Sequence, residues 1–243
     1  ESPAEQIAHL RAAKDLSLGL LHWLQTEVAR DEGGKGYPEF KLRPDVMGTR
    51  DGLSKFPYLR ETRRLVALKT ITQSDVSADV QKGPRAAHFR DSVGIGHYGI
   101  DIHETTRRAG QQVISPTRPL QRPRGALIPR SAVNLLAGNK NLGVTHITNG
   151  CYRLHPIEWN IGEAAGTAAA FSLRLRAPLR TIHEDPSLLL ELQRRLVARG
   201  VPLMWYDDLP VSDPRFDAAQ ILPFAEPGAL ERLGSDLHAP KPG

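Results

Sequence analysis

Between Pro156 and Arg174 the chain is built from residues that take up almost no space. Gly162, Ala164, Ala165, Gly166 and the run Ala168 to Ala170 leave a helix nearly bare on its first turns. Such a helix lets its backbone come close to something flat or anionic. Its first N–H groups are free donors, and the helix dipole favours negative charge at that end. A polar loop with Asn149, Gly150 and Arg153 leads into it, and Ala132 to Gly138 upstream reads as a short buried strand. Strand, polar loop and small-residue helix is the order in which α/β proteins hold nucleotide cofactors. The same small residues would also serve tight helix–sheet packing, so the pattern alone leaves both uses open.

The residues around this helix carry the chemistry. Gly138 allows close backbone approach, and Asn139, in the turn Asn139-Lys140-Asn141, offers a hydrogen bond at a strand end where ligands sit. Asn149, Gly150, Arg153, Asn160, Gly162, Ala165 and Gly166 are the further positions expected to face a cofactor. His146, Asn149, Arg153 and His155 lie within ten residues, but no Cys or carboxylate stands at ligand spacing, which argues against a metal. Asn149 and Arg153 suit an anionic cofactor or substrate, and a His could exchange a proton beside it. Structural hydrogen bonding is the competing use. On the stretch Ser92 to His103, Asp101 and His103 share a strand face, about 6–7 Å apart at Cα, so Asp101 could orient His103 as a base. His97 is too distant to complete a metal triad unless Gly99 bulges the strand. Arg60, Arg63 and Arg64 could clamp a carboxylate or phosphate, or pair with Glu61. The lone Cys151 permits no intrachain disulfide and reads as a buried thiol.

Elsewhere the pattern predicts an amphipathic helix over residues 3 to about 30, ended by the Gly-rich loop 31–36, and irregular chain over 37–57. Strands are predicted at 64–71 and, with a glycine kink, at 92–103; 105–124 reads as a long crossover loop. Asp185-Pro186 starts a helix that Gly200 stops, and Asp213-Pro214 starts another through Ile221. The Pro- and Gly-rich tail from Pro227 is expected to fray. The net charge of +5 comes mostly from Arg spread along the chain, with small pairs at Arg63-Arg64, Arg107-Arg108 and Arg194-Arg195. No zinc finger, RNA-recognition signature or basic helix accompanies it, so nucleic acid is not the expected partner. No apolar run approaches the ~18 residues of a membrane span.

The stretch from Leu127 to Phe171 resembles the C-terminal flavin-contacting segment of FAD-dependent oxidoreductases with the glutathione-reductase-type FAD fold. Pro57-Tyr58-Leu59-Arg60-Glu61-Thr62-Arg63-Arg64 resembles the PY-x-RE-x-RR segment of the bacterial group called simply FAD-dependent oxidoreductases. Asp91 to Gly96 and Tyr98 to His103 resemble the strand that follows in that group. The likeness runs from about Leu42 to Gln220. It implies an α/β fold: the C-terminal portion of a Rossmann-like FAD domain, part of a mixed-sheet substrate domain and a helical tail. The boundaries it implies are 1–125, 126–176 and 177–243. It implies FAD as cofactor and hydride transfer between an organic substrate and flavin. His103 or His146 would stand near the substrate, Arg60 would be an anion clamp, and the helix entered at Pro156 would stabilise reduced flavin.

The chain departs from that family in one respect. Members begin with a βαβ unit carrying G-x-G-x-x-G for the pyrophosphate, and none is found here. Gly94-Ile95-Gly96-His97-Tyr98-Gly99 has the spacing, but strand-like residues follow it where a helix is needed. The expectation is therefore the C-terminal half of a longer flavoenzyme, whose N-terminal FAD-binding half lies in the same protein or a partner chain. Without that half, the chain alone would be inactive and would expose a sheet edge and an apolar face. The alternative is a non-enzymatic binding module that keeps the fold without the cofactor.

Overall fold

The computed structural model describes residues 2–61, 63–104, 112–226, 228–229 and 238–239. The chain divides into two compact units, 1–60 and 61–243. The Arg107-Arg108 pair and most of the tail from Pro227 lie outside the described residues.

In the first unit, α1 spans Pro3–Thr26. A capping box starts it: Ser2 Oγ accepts the Glu5 N–H while the Glu5 carboxylate accepts the Ser2 N–H, and Pro3 fills the first turn, where no N–H is needed. The helix stops four residues before the expected end. The chain then reverses through Gly33, Gly34 and Gly36, all at positive φ, with a bridge between Ala29 and Lys35. No residue of α1 is buried. The stretch expected to be irregular contains one helical turn, α2 (Pro44–Met47), closed by Gly48 in the left-handed region.

Among its described residues the second unit holds α3 (Gln73–Val76), four short strands and five further helices. The stretch 92–103 is not one kinked strand. It splits into β1 (Ser92–Gly96) and β2 (Ile100–Ile102), which pair with different partners. β1 pairs antiparallel with β4 (Leu120–Pro123), with a register break between Ser92 and Ile95; β2 pairs antiparallel with β3 (Val113–Ser115). Both partners lie in the stretch expected to be a crossover loop. The strand β2, not a helix, directly follows Gly94 to Gly99, so the glycine spacing there is a coincidence of a bulged strand. A 3-10 turn, Arg124–Leu127, continues β4.

The segments 64–71 and 132–138 are not regular strands. The first runs extended between two neighbours. Leu65 and Ile71 donate to Asn141 and Gly143 on one side, while Leu68 and Lys69 donate to Ile128 and Gly125 on the other. Its bridges are single: antiparallel Ala67–Pro129 and parallel Ile71–Val144. Pro129 has no N–H to extend the first of them. The class is α/β with small antiparallel sheets.

Of the helices that follow, α5 (His155–Leu175) and α7 (Pro186–Val197) pack on β1, while α6 (Leu179–Glu184) and α8 (Phe216–Ala225) pack against α7. α5 buries Ile157, Ile161, Ala164, Ala165, Ala168 and Phe171, one face at helical spacing. It ends at Arg176, the one non-glycine residue of positive φ among those described, just before Pro178. α7 begins as expected: the Asp185 carboxylate accepts the N–H groups of Ser187 and Leu188 at 2.8 and 3.0 Å. It ends in a Schellman pair at Gly200 (φ +83°), with Gly200 N–H donating to Val197 and Val201 N–H to Leu196. The core of this unit joins Val93, Ile100 and Leu120 of the strands to Tyr152, Ile161 and Leu196 of the helices.

Candidate functional site

Residues 146–152, expected to be loop, form a helix, α4 (His146–Tyr152). Thr145 and Thr148 cap it reciprocally: Thr145 Oγ1 accepts the Thr148 N–H at 3.1 Å and Thr148 Oγ1 accepts the Thr145 N–H at 2.9 Å. The helix puts His146, Asn149, Gly150 and Arg153 at i, i+3, i+4 and i+7, so they share one stripe. Gly150 lies against β2, where a β-carbon would stand 2.8 Å from the Asp101 carbonyl oxygen and 2.9 Å from its nitrogen.

Two polar groups meet along this stripe. The Glu61 carboxylate accepts from His146 Nδ1 at 2.7 Å and pairs with Arg153 Nη1 at 3.6 Å. Arg153, 6% exposed, donates through Nη2 to the Asp101 carbonyl. The Asp101 carboxylate takes Gln112 Nε2 at 3.0 Å and His103 Nε2 at 2.8 Å. Hydrogen bonding from Gln112, followed by the charges of His103 and Arg153, holds the Asp101 carboxyl below its ordinary range. The structure therefore joins His146, Arg153 and His103 through Glu61 and Asp101.

The second group lies at the start of α5. Asn149 is 1% exposed; its Nδ2 donates to the Lys140 carbonyl at 2.9 Å, and its Oδ1 is buried without a partner. Lys140 Nζ pairs with Glu158 in the first turn of α5 at 3.7 Å. The Gly138 carbonyl sits beside Gly162, where a β-carbon would meet it at 3.3 Å. Gly138 and Asn139 are exposed, and no side chain caps the α5 N-terminus at Leu154. Gly138, Asn139, Asn149, Arg153 and Gly162 are thus brought to one end of α5.

The other expected residues lie elsewhere. Ala165 is buried in the core, and Gly166 is exposed in a groove of about 950 Å³ between α5 and α7, lined also by Trp159, Arg174 and Arg195. Asn160 turns inward; its Oδ1 is buried without a hydrogen bond, close to Gly94 and Arg122. Arg60 is exposed in the first unit, its guanidinium 5.9 Å from the Tyr58 ring centre. His97 packs edge-on against Trp205. No three metal-binding side chains cluster among the described residues. Cys151 is fully buried, and burial pushes its thiol up to about 12.

Sequence reasoning missed Glu61 as the partner of His146, because the two are 85 residues apart. It also missed Arg122, 3% exposed on β4 with Nε and Nη1 unpartnered and its guanidinium brought down to about 9 by burial. No signal in the chain marks Arg122, and Glu61, though part of the PY-x-RE-x-RR segment, carries none that links it to His146.

The residues fit FAD. No side chain caps the helix start, its first-turn Glu158 is paired with Lys140 rather than left as a bare negative charge, and the buried Asn149 Oδ1 beside it is an acceptor without a partner. No helix among the described residues is long and apolar enough to cross a membrane. No curated protein and no solved structure matches the chain. The family model "FAD dependent oxidoreductase" matches residues 2–196. The chain belongs to the FAD-dependent oxidoreductase family, whose cofactor is FAD.

Proposed function

We propose that this chain is the C-terminal half of an oxidoreductase that moves a hydride between a small organic substrate and FAD. Residues 126–176 would be its flavin-contacting segment and residues up to 125 would serve the substrate. The remaining FAD-binding half would come from the same protein or from a partner chain. The observation that carries this reading is the convergence of Gly138, Asn139, Asn149 and Gly162 at an uncapped helix start, with an orphaned acceptor among them.

Bound there, FAD supplies two-electron hydride chemistry. The chain supplies position and charge. The positive end of the α5 dipole favours a negatively charged flavin edge. Asn149 Oδ1 accepts one hydrogen bond from the cofactor. Arg153, held by Glu61 and Asp101, keeps a buried positive charge beside this end of α5. His146 and His103 are the groups able to carry a proton to or from substrate, and Arg60 is the proposed anion clamp.

The test uses FAD and the full-length gene product that contains this sequence. Asn149→Leu and Arg153→Met should each weaken FAD binding at least tenfold by titration of flavin absorbance, while circular dichroism stays unchanged. Unaltered FAD affinity in both variants would sink the cofactor assignment.

A further inference from the structure

The His146 ring has two nitrogens, and the structure treats them differently. Nδ1 is engaged by Glu61 Oε2 at 2.7 Å, whereas Nε2 has no partner among the described residues and the side chain is half exposed. A carboxylate can only accept at that distance, so the Nδ1 hydrogen must stay on the ring. The other Glu61 oxygen faces Arg153 Nη1, and Arg153 is itself anchored on the Asp101 carbonyl. Glu61 is therefore held by two cationic or donor groups from the two ends of α4, and its carboxylate is 28% exposed. That arrangement fixes the ring's orientation as well as its tautomer.

We propose that Glu61 is the positioning residue of this site: it locks His146 as the Nδ1–H tautomer and presents Nε2 as the basic nitrogen. The role rests on the flavin-site reading only for what Nε2 faces. In that setting Nε2 takes the proton of a substrate hydroxyl or amine. The X–H bond breaks, the Nε2–H bond forms, the electron pair remains on X, and the Glu61 carboxylate compensates the imidazolium charge. His103 is oriented the opposite way, with Nε2 committed to Asp101. The two histidines are thus not interchangeable, and His146 is the one on the same stripe as Asn149 and Arg153.

Long-range proton–nitrogen NMR of the ¹⁵N-labelled full-length protein tests this, at a pH where the imidazoles are neutral. The His146 ring signals are identified by their loss in His146→Gln. The wild type should show Nδ1–H with an unprotonated Nε2. Glu61→Gln, which keeps an acceptor oxygen, should retain that pattern. Glu61→Ala should revert to the Nε2–H form that an unconstrained imidazole prefers. An Nε2–H pattern in the wild type, or an unchanged pattern in a folded Glu61→Ala variant, overturns the proposal. The wild-type spectrum decides even if Glu61→Ala does not fold. Flavin absorbance of the same samples separates the two readings: a locked tautomer in a protein that takes up no FAD refutes the cofactor assignment and leaves the Glu61 role standing.

Discussion

Gly150 of α4 and Asp101 of β2 touch through their backbones. A single methyl on Gly150 would stand 2.8 Å from the Asp101 oxygen and 2.9 Å from its nitrogen. Neither atom can swing aside as a side chain would, so Gly150→Ala must push α4 off β2. Overpacking of this kind costs roughly 1–3 kcal/mol. Gly166→Ala is the control: its site is open, the residue is mid-helix and exposed, and removing a helical glycine should stabilise by up to about 1 kcal/mol. Urea unfolding of the two variants should move in opposite directions.

His183 predicts how stability follows pH. Burial, with Arg124 and Arg180 nearby, lowers its folded value from the ordinary 6.5, against the opposing pull of Asp91 at 3.8 Å and of Glu184. The folded protein thus prefers the neutral ring. Its contribution is complete above pH 6.5 and is lost as pH falls from there through the lowered folded value. His183→Gln has no such proton to take up. The stability difference between wild type and variant should drift against the wild type across that window and be flat at higher pH, as read by chemical denaturation.

Cys151 should be chemically silent. Its sulfur is fully buried, its thiol is pushed up to about 12, and its S–H points at the Thr148 carbonyl at 3.2 Å. A chromogenic disulfide reagent should find no thiol in the native protein and one per chain in guanidinium. Rapid native labelling would mean that α4 opens readily.

The Asp185 cap gives a fourth prediction. Its carboxylate serves two N–H groups that otherwise have no intrahelical acceptor. Asp185→Ala should cost about 0.5–2 kcal/mol, and Asp185→Ser should recover most of it. Thermal unfolding monitored by circular dichroism would show equal midpoints for both variants if the cap were idle.

The elements that sequence reading found are those whose signals are local. The small-residue helix was expected over 156–174 and spans His155–Leu175; α7 has the start and stop that Asp185 and Gly200 announce. The strands were poorly legible because they are short and their partners are distant. Ser92 opens β1, yet its opposite residue is Pro123, inside a stretch that reads as polar loop. α4 was invisible for a different reason. Thr148, Asn149 and Gly150 are weak helix formers, and what holds them helical is tertiary: packing on β2, the bonds to Ile71, Lys140 and Glu61, and the local Thr145–Thr148 cap. At the site, the stripe from His146 to Arg153 could be seen as a cluster within ten residues, but the carboxylate that organises it comes from residue 61.

Seven residues are too few for a helix to persist alone, since nucleation costs more than so short a ladder returns. α4 nevertheless has both ends moored to one carboxylate, with Asn149 tied to the Lys140 carbonyl between them. It therefore acts as a stiff crossbar. It ties Glu61 to the turn at Lys140 and, through Arg153, to Asp101 of β2.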